Sequence, residues 1–109
     1  MTRCEVRTIM TEKLAGYATG NVTHASPVTP DEVDLPILEY NEAGEFVDIV
    51  DGFHRIAGFA AAGISSFRAV CCTTDGDDDL VAAASSPDGY GGLPQKEAIA
   101  EIYRLAGVE

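Results

Sequence analysis

Val47-Asp48-Ile49-Val50-Asp51-Gly52-Phe53-His54-Arg55-Ile56-Ala57 is the stretch on which the reading of this chain turns. Up to Val50 it is β-branched and extended in character, and it belongs to a strand running from Glu45 to Val50. After Gly52 the period changes. Ile56, Phe59 and Ala60 fall at helical spacing, and Gly63 sits where a left-handed C-terminal cap belongs. A strand therefore runs through a glycine into a helix of roughly Phe53 to Ala62. The small residues Ala57, Gly58 and Ala60 to Ala62 suit close packing on a sheet, at some cost in intrinsic helix stability.

Working outward, Pro36 to Tyr40 forms the preceding strand, joined to Glu45–Val50 by Asn41-Glu42-Ala43-Gly44, a connection whose closing glycine suits a hairpin. Thr29-Pro30-Asp31-Glu32 has the form of a capping box with proline in the first turn, opening a helix that Pro36 cuts short. Farther upstream, Ala15 to Pro30 carries Gly16, Gly20, Asn21, Ser26, Pro27 and Pro30 and reads as loop, with an extended piece at Asn21 to His24. Cys4 to Met10 alternates loosely and reads as a strand. Downstream, Phe67 to Thr73 is a strand ending in the turn signature Thr74-Asp75-Gly76. Asp77 to Asp79 supply the cap and first-turn charge of a short helix, Leu80 to Ala84. Ser85 to Gly92 reads as a flexible glycine-rich loop or a lid. Pro94 opens a last helix whose Ala98, Ile99, Ile102, Leu105 and Ala106 line one side before Gly107 closes it. The fold class is α+β (α/β), a small mixed sheet with short helices, and residues 1–109 form one domain.

The composition narrows the function. With 109 residues and 46% hydrophobic content, the chain can close one core. Its longest apolar run, Ile56 to Ile64, is interrupted by Gly58 and Gly63 and falls far short of the ~20 residues of a membrane span. Arg3, Glu5, Arg7, Glu12 and Lys13 break up any signal-peptide core, so the expected location is cytoplasmic. Seven basic against eighteen acidic residues give a net charge of −11, a surface that repels nucleic acid and suits either solubility or a basic protein partner. Cys4, Cys71 and Cys72 lack metal-ligand spacing, and the adjacent pair points to opposite faces of a strand. They read as small apolar residues kept reduced.

The chemistry concentrates at the strand-to-helix turn. A helix start leaves unpaired N–H groups with partial positive charge, a natural seat for an anion. His54 and Arg55 in the first turn oppose the helix dipole unless a phosphate compensates, accepting hydrogen bonds from Arg55, His54 and the Gly52 backbone. Asp51 beside such a phosphate calls for a divalent cation or a substrate hydroxyl in need of a base. Glu32 and Asp34, just before the sheet strand, are the acids placed to help. The structural alternative makes Asp51 an N-cap, Gly52 a tight turn, and His54 and Arg55 solvated side chains. His24 reads as a surface residue.

Together these residues resemble the ParB/sulfiredoxin superfamily, from about Pro27 to Val70 with an extension to Leu105. The resemblance is carried by the run Val47 to Ala57, by Thr29-Pro30-Asp31-Glu32-Val33 and Leu35-Pro36-Ile37-Leu38 upstream, and by Leu93-Pro94-Gln95-Lys96-Glu97-Ala98 downstream. It implies a ParB/sulfiredoxin-like fold that binds a nucleoside triphosphate, ATP or CTP, with Mg²⁺, or another phosphorylated small molecule. Gly52, His54 and Arg55 match its phosphate-contacting positions, and Asp51 matches the acid of kinase-like members, as a catalytic base or metal ligand, with Glu32 in support. Phe53 stands where sulfiredoxins carry their catalytic cysteine, which argues against sulfinic-acid reduction. An arginine-rich turn and an Asn-containing second phosphate motif are both missing, which argues against a CTP clamp, and the end at Glu109 leaves no room for a helix-turn-helix. The expected function is nucleotide or phosphate binding, with NTP hydrolysis or phosphoryl transfer as its associated chemistry. A noncatalytic acidic module engaging a basic partner is the second expectation. Nuclease activity ranks third because of the charge.

Overall fold

The computed structural model describes residues 2–20, 22, 24–75 and 78–108. Strand β1 (Arg3–Met10) leads directly into helix α1 (Thr11–Gly20); a 3-10 turn at Pro30–Glu32 precedes the hairpin β2 (Ile37–Tyr40) and β3 (Phe46–Asp51). Helix α2 (Phe53–Ala61), strand β4 (Ser66–Thr73) and helices α3 (Asp79–Ser85) and α4 (Gln95–Leu105) follow. The sheet order is β1-β4-β2-β3, with β4 and β2 parallel in the middle and an antiparallel strand on each outer edge. The fold is thus the small mixed sheet with short helices expected from the sequence.

Alternation along the strands sends buried side chains to both faces, so the sheet is the middle of three layers. On one side Leu38, Ile49, Phe67, Ala69 and Cys71 pack with Leu14 and Ala18 of α1 and Ile56, Ala57 and Phe59 of α2. On the other, Ile37, Val50, Val70 and Cys72 pack with Val81, Ala83 and Ala84 of α3 and Ala98 and Ile102 of α4. Cys71 and Cys72 fall on opposite faces, as strand geometry requires.

The hairpin forms where the sequence places it. Asn41 accepts from the Glu45 amide through Oδ1 at 2.9 Å, and Gly44 turns at φ +84°. At the 3-10 turn the Glu32 carboxylate accepts from both the Thr29 amide and the Thr29 hydroxyl at 2.8 Å. Asp78 caps α3 by accepting from the Val81 amide at 3.0 Å. Gly63 closes α2 at φ +74°. Asn21, Thr23, Gly76, Asp77 and the features assigned to them lie outside the described residues.

Three expectations need correction. Residues from Ala15 to Gly20 are helical, not loop: Leu14 and Ala18, one turn apart, are buried against α2, while Gly16 faces open space. Burial of that narrow stripe outweighs the two helix-weakening glycines. Leu105 is 40% exposed: it is the last residue of α4, beyond the buried Ala98 and Ile102. Gly58 serves a different neighbour from the sheet. A Cβ there would lie 2.7 Å from the Ser26 carbonyl oxygen and 2.8 Å from Val28 Cγ2, so the glycine lets the segment before the 3-10 turn cross α2.

Candidate functional site

The turn between β3 and α2 is tight because Gly52 sits at φ +113°, against Pro36 at the start of β2. A Cβ at Gly52 would stand 2.9 Å from Pro36 Cβ and 3.2 Å from Pro36 Cα, so both the backbone angle and the space demand glycine. The first intrahelical bond runs from the Ile56 amide to the Gly52 carbonyl at 2.9 Å. The amides of Phe53, His54 and Arg55 therefore point out of the helix start without intrahelical partners. No side chain caps this helix, and no acid occupies its first turn.

The two basic residues of the turn go separate ways. Arg55 folds back along the strand end: Nη2 lies 2.5 Å from Asp51 Oδ2, and Nη1 donates to the carbonyls of Asp34 at 2.9 Å and Leu35 at 3.2 Å. Tyr103 of α4 donates to the same Leu35 carbonyl at 2.6 Å. Burial works against the Arg55 charge, but Asp51 and Tyr103 outweigh it and hold the guanidinium above its ordinary range. Burial raises the Tyr103 phenol and keeps it a donor, although Arg55 pulls the other way. The result is a staple that fastens the β3 end, the approach to β2 and α4 to one guanidinium.

His54 is exposed and faces an open cleft of about 330 Å³ that it shares with Val50, Asp51, Gly52, Phe53 and Ser85. Arg55 instead borders a larger concavity of about 560 Å³ with Asp31, Glu32 and Asp34. One side of the helix start is thus acidic, with its cation already paired; the other presents free amides and an imidazole.

Of the residues singled out from sequence, Gly52, His54 and Asp51 do meet around one cleft. Glu32 does not join them. It borders the Arg55 concavity and is held by Thr29, whose backbone amide and then hydroxyl draw its carboxyl below the usual range. That is a cap, not a poised base. Arg55 meets Asp51 but turns away from the His54 cleft, correcting the expectation of two cations converging on one anion. The acids proposed for Mg²⁺ do not fit a metal as placed: Asp51 is paired with Arg55, Glu32 with Thr29, and among the described residues no three His, Cys, Asp or Glu gather into a metal-binding group.

Sequence reasoning missed Tyr103, Pro36 and the Asp34 and Leu35 carbonyls as parts of the turn. Backbone acceptors leave no trace in composition, and Tyr103 had only its place beside Ile102 to mark it. Ser85 was visible as the first residue of the glycine-rich loop; its hydroxyl donates to the Val81 carbonyl at 2.9 Å, and it walls the His54 cleft. Tyr90 of the same loop borders a different concavity, with Glu39 and Asp78. His24 is exposed, within 3.4 Å of Ser26 Oγ. No helix among the described residues is long and apolar enough to cross a membrane. No protein-family model, curated protein or solved structure matches this chain.

Proposed function

We propose that this domain binds a phosphate group, borne by a nucleotide or another phosphorylated small molecule, at the start of helix α2. The observation that carries the reading is an uncapped nine-residue helix with no acid in its first turn, opening on a cleft beside an exposed histidine. The amides of Phe53, His54 and Arg55 would donate to the anion, and the His54 imidazole would add a hydrogen bond that strengthens on protonation. Arg55 would act indirectly. By pairing with Asp51 it offsets a carboxylate that would otherwise repel phosphate from the same cleft. Phosphoryl transfer would require Asp51 to leave Arg55, so the arrangement supports binding ahead of turnover. The resemblance to the ParB/sulfiredoxin superfamily points to the same turn.

Each such interaction contributes on the order of 0.3–1 kcal/mol, so inorganic phosphate alone should bind weakly and a nucleotide more tightly. The test is thermal unfolding in phosphate, pyrophosphate, ATP and CTP, each with and without Mg²⁺, against potassium chloride at matched ionic strength. The chloride arm is needed because any salt screens a chain of net charge −11. Stabilisation beyond chloride, reduced in His54→Ala, is expected. Equal shifts in chloride and every phosphate would remove the reading.

The second reading, a noncatalytic module for a basic protein partner, draws on the concavity formed by Asp31, Glu32 and Asp34. It gains if phosphates have no effect while a lysine-rich peptide binds in a salt-sensitive way.

A further inference from the structure

The thiol pair that matters lies across two strands, not in the adjacent residues Cys71 and Cys72. Cys4 of β1 stands directly opposite Cys72 of β4 in the antiparallel register, and their sulfurs are 3.0 Å apart. Directly paired residues in an antiparallel ladder have Cα atoms ~4.5–5.5 Å apart. That range lies inside the one disulfides adopt, so a bond of about 2.05 Å needs a sulfur shift of ~1 Å and no movement of the sheet. Cys71 cannot compete: it points to the other face, into the core with Leu38, Ile49 and Phe59.

The two sulfurs also differ as reactants ought to. Cys72 is fully buried, whereas Cys4 is partly exposed on the outer strand and borders a small cleft of about 130 Å³ with Arg3 and Thr73. Either sulfur can be the donor in this contact, and it lowers the Cys4 thiol below its ordinary value despite burial and the charge of Asp78. The same contact, together with burial, drives the Cys72 thiol upward. A reachable sulfur on the outer strand thus stands in front of a hidden one.

We propose that Cys4 and Cys72 are a peroxide-responsive dithiol, Cys4 being the attacking sulfur and Cys72 the resolving one. In the first step the Cys4 thiolate attacks one peroxide oxygen; the S–O bond forms, the O–O bond breaks, and the departing hydroxide takes up the proton that Cys4 released. In the second step the Cys72 sulfur attacks Cys4 Sγ; the S–S bond forms, the S–O bond breaks, and the leaving hydroxide takes the Cys72 proton. Two thiols and one hydrogen peroxide give one disulfide and two waters. The sulfur pair loses two electrons and the peroxide oxygens gain them. The product ties the outer strand β1 to β4 across 68 positions of sequence. Nothing in this step depends on the phosphate reading, since it uses neither His54 nor the α2 start.

The test is to treat the intact chain with hydrogen peroxide under native conditions, alkylate in denaturant, and map cysteines by mass spectrometry without reduction. Expected is a monomer lighter by two hydrogens, with one Cys4–Cys72 link, Cys71 alkylated, and full reversal by dithiothreitol. C71S should behave as the parent chain, and C4S should form no internal link. Chains linked to one another through Cys4, a link involving Cys71, sulfinic acid on Cys4 with Cys72 still alkylated, or three alkylated thiols after excess peroxide would each overturn the proposal. These readouts come from the parent chain and C71S, so they hold even where C4S fails to fold.

Discussion

Helix α3 begins under a carboxylate of its own chain, and helix α2 begins under none. At α3, Asp78 accepts from the Val81 amide and Asp79 adds first-turn negative charge. At α2, glycine replaces the capping side chain, the first turn holds His54 and Arg55, and the nearest carboxylate, Asp51, is committed to Arg55. The first arrangement maximises local stability, because the helix dipole is answered from within. The second leaves that answer open. A chain carrying eighteen acids to seven bases has no shortage of carboxylates, so their absence from the first turn of α2 sets that helix start apart from the one closed by Asp78.

The comparison can be broken most severely at Gly52. Gly52→Ala forces a Cβ onto Pro36 at a backbone angle that L residues resist, and should cost about 3 kcal/mol, read as a lower urea midpoint. Arg55→Ala comes next. It leaves the partly buried Asp51 carboxylate and the Asp34 carbonyl without their shared donor, while the Leu35 carbonyl keeps Tyr103, a loss of about 2 kcal/mol, and Arg55→Lys should recover only part because an ammonium cannot span all three acceptors. If Arg55→Ala were neutral in stability, the staple would not be structural. Asp78→Ala sharpens the contrast from the other helix, with an expected cost of about 1 kcal/mol and an unchanged response to phosphate. His54→Ala should do the reverse, leaving the chain near parental stability without ligand while removing a few tenths of a kcal/mol of the gain in phosphate.

The smallest effect concerns pH. The Glu32 carboxyl is held low in the folded chain by Thr29, so its contribution is present above the unfolded carboxyl range and is lost as pH falls through the lower folded value. Glu32→Gln should therefore flatten the acid limb of the stability profile without moving stability differences between variants at the His54 cleft. A parallel shift at all pH values would mean that Glu32 acts through packing and not charge.

Much of the fold was legible because local signals agreed with the final packing. The hairpin around Asn41–Gly44, the change of period at Gly52 and the Asp78 cap each depend on residues close in sequence. Helix α1 was hidden because its stability comes from Leu14 and Ala18 meeting α2, whereas its own glycines argue against it. At the site, the turn and its anion-seeking amides could be read, but the direction of Arg55 could not. It is set by the Asp34 and Leu35 carbonyls, which any residue types would supply, and by Tyr103 from a helix 48 positions away. The Cys4–Cys72 encounter was likewise invisible, since register between strands so distant in sequence follows from the whole sheet.

The order of strands has a consequence for how the protein is made. The outer strand β1 leaves the ribosome well before its partner β4, which is translated 56 to 70 residues later, from the Met10–Ser66 pair to the Arg3–Thr73 pair. At ~5–20 residues per second, that is a delay of roughly 3–14 s during which Cys4 to Met10 has no ladder to join. The β2–β3 hairpin can close within microseconds of emerging. The hairpin can thus be in place while β1 still waits for the strand that completes its ladder.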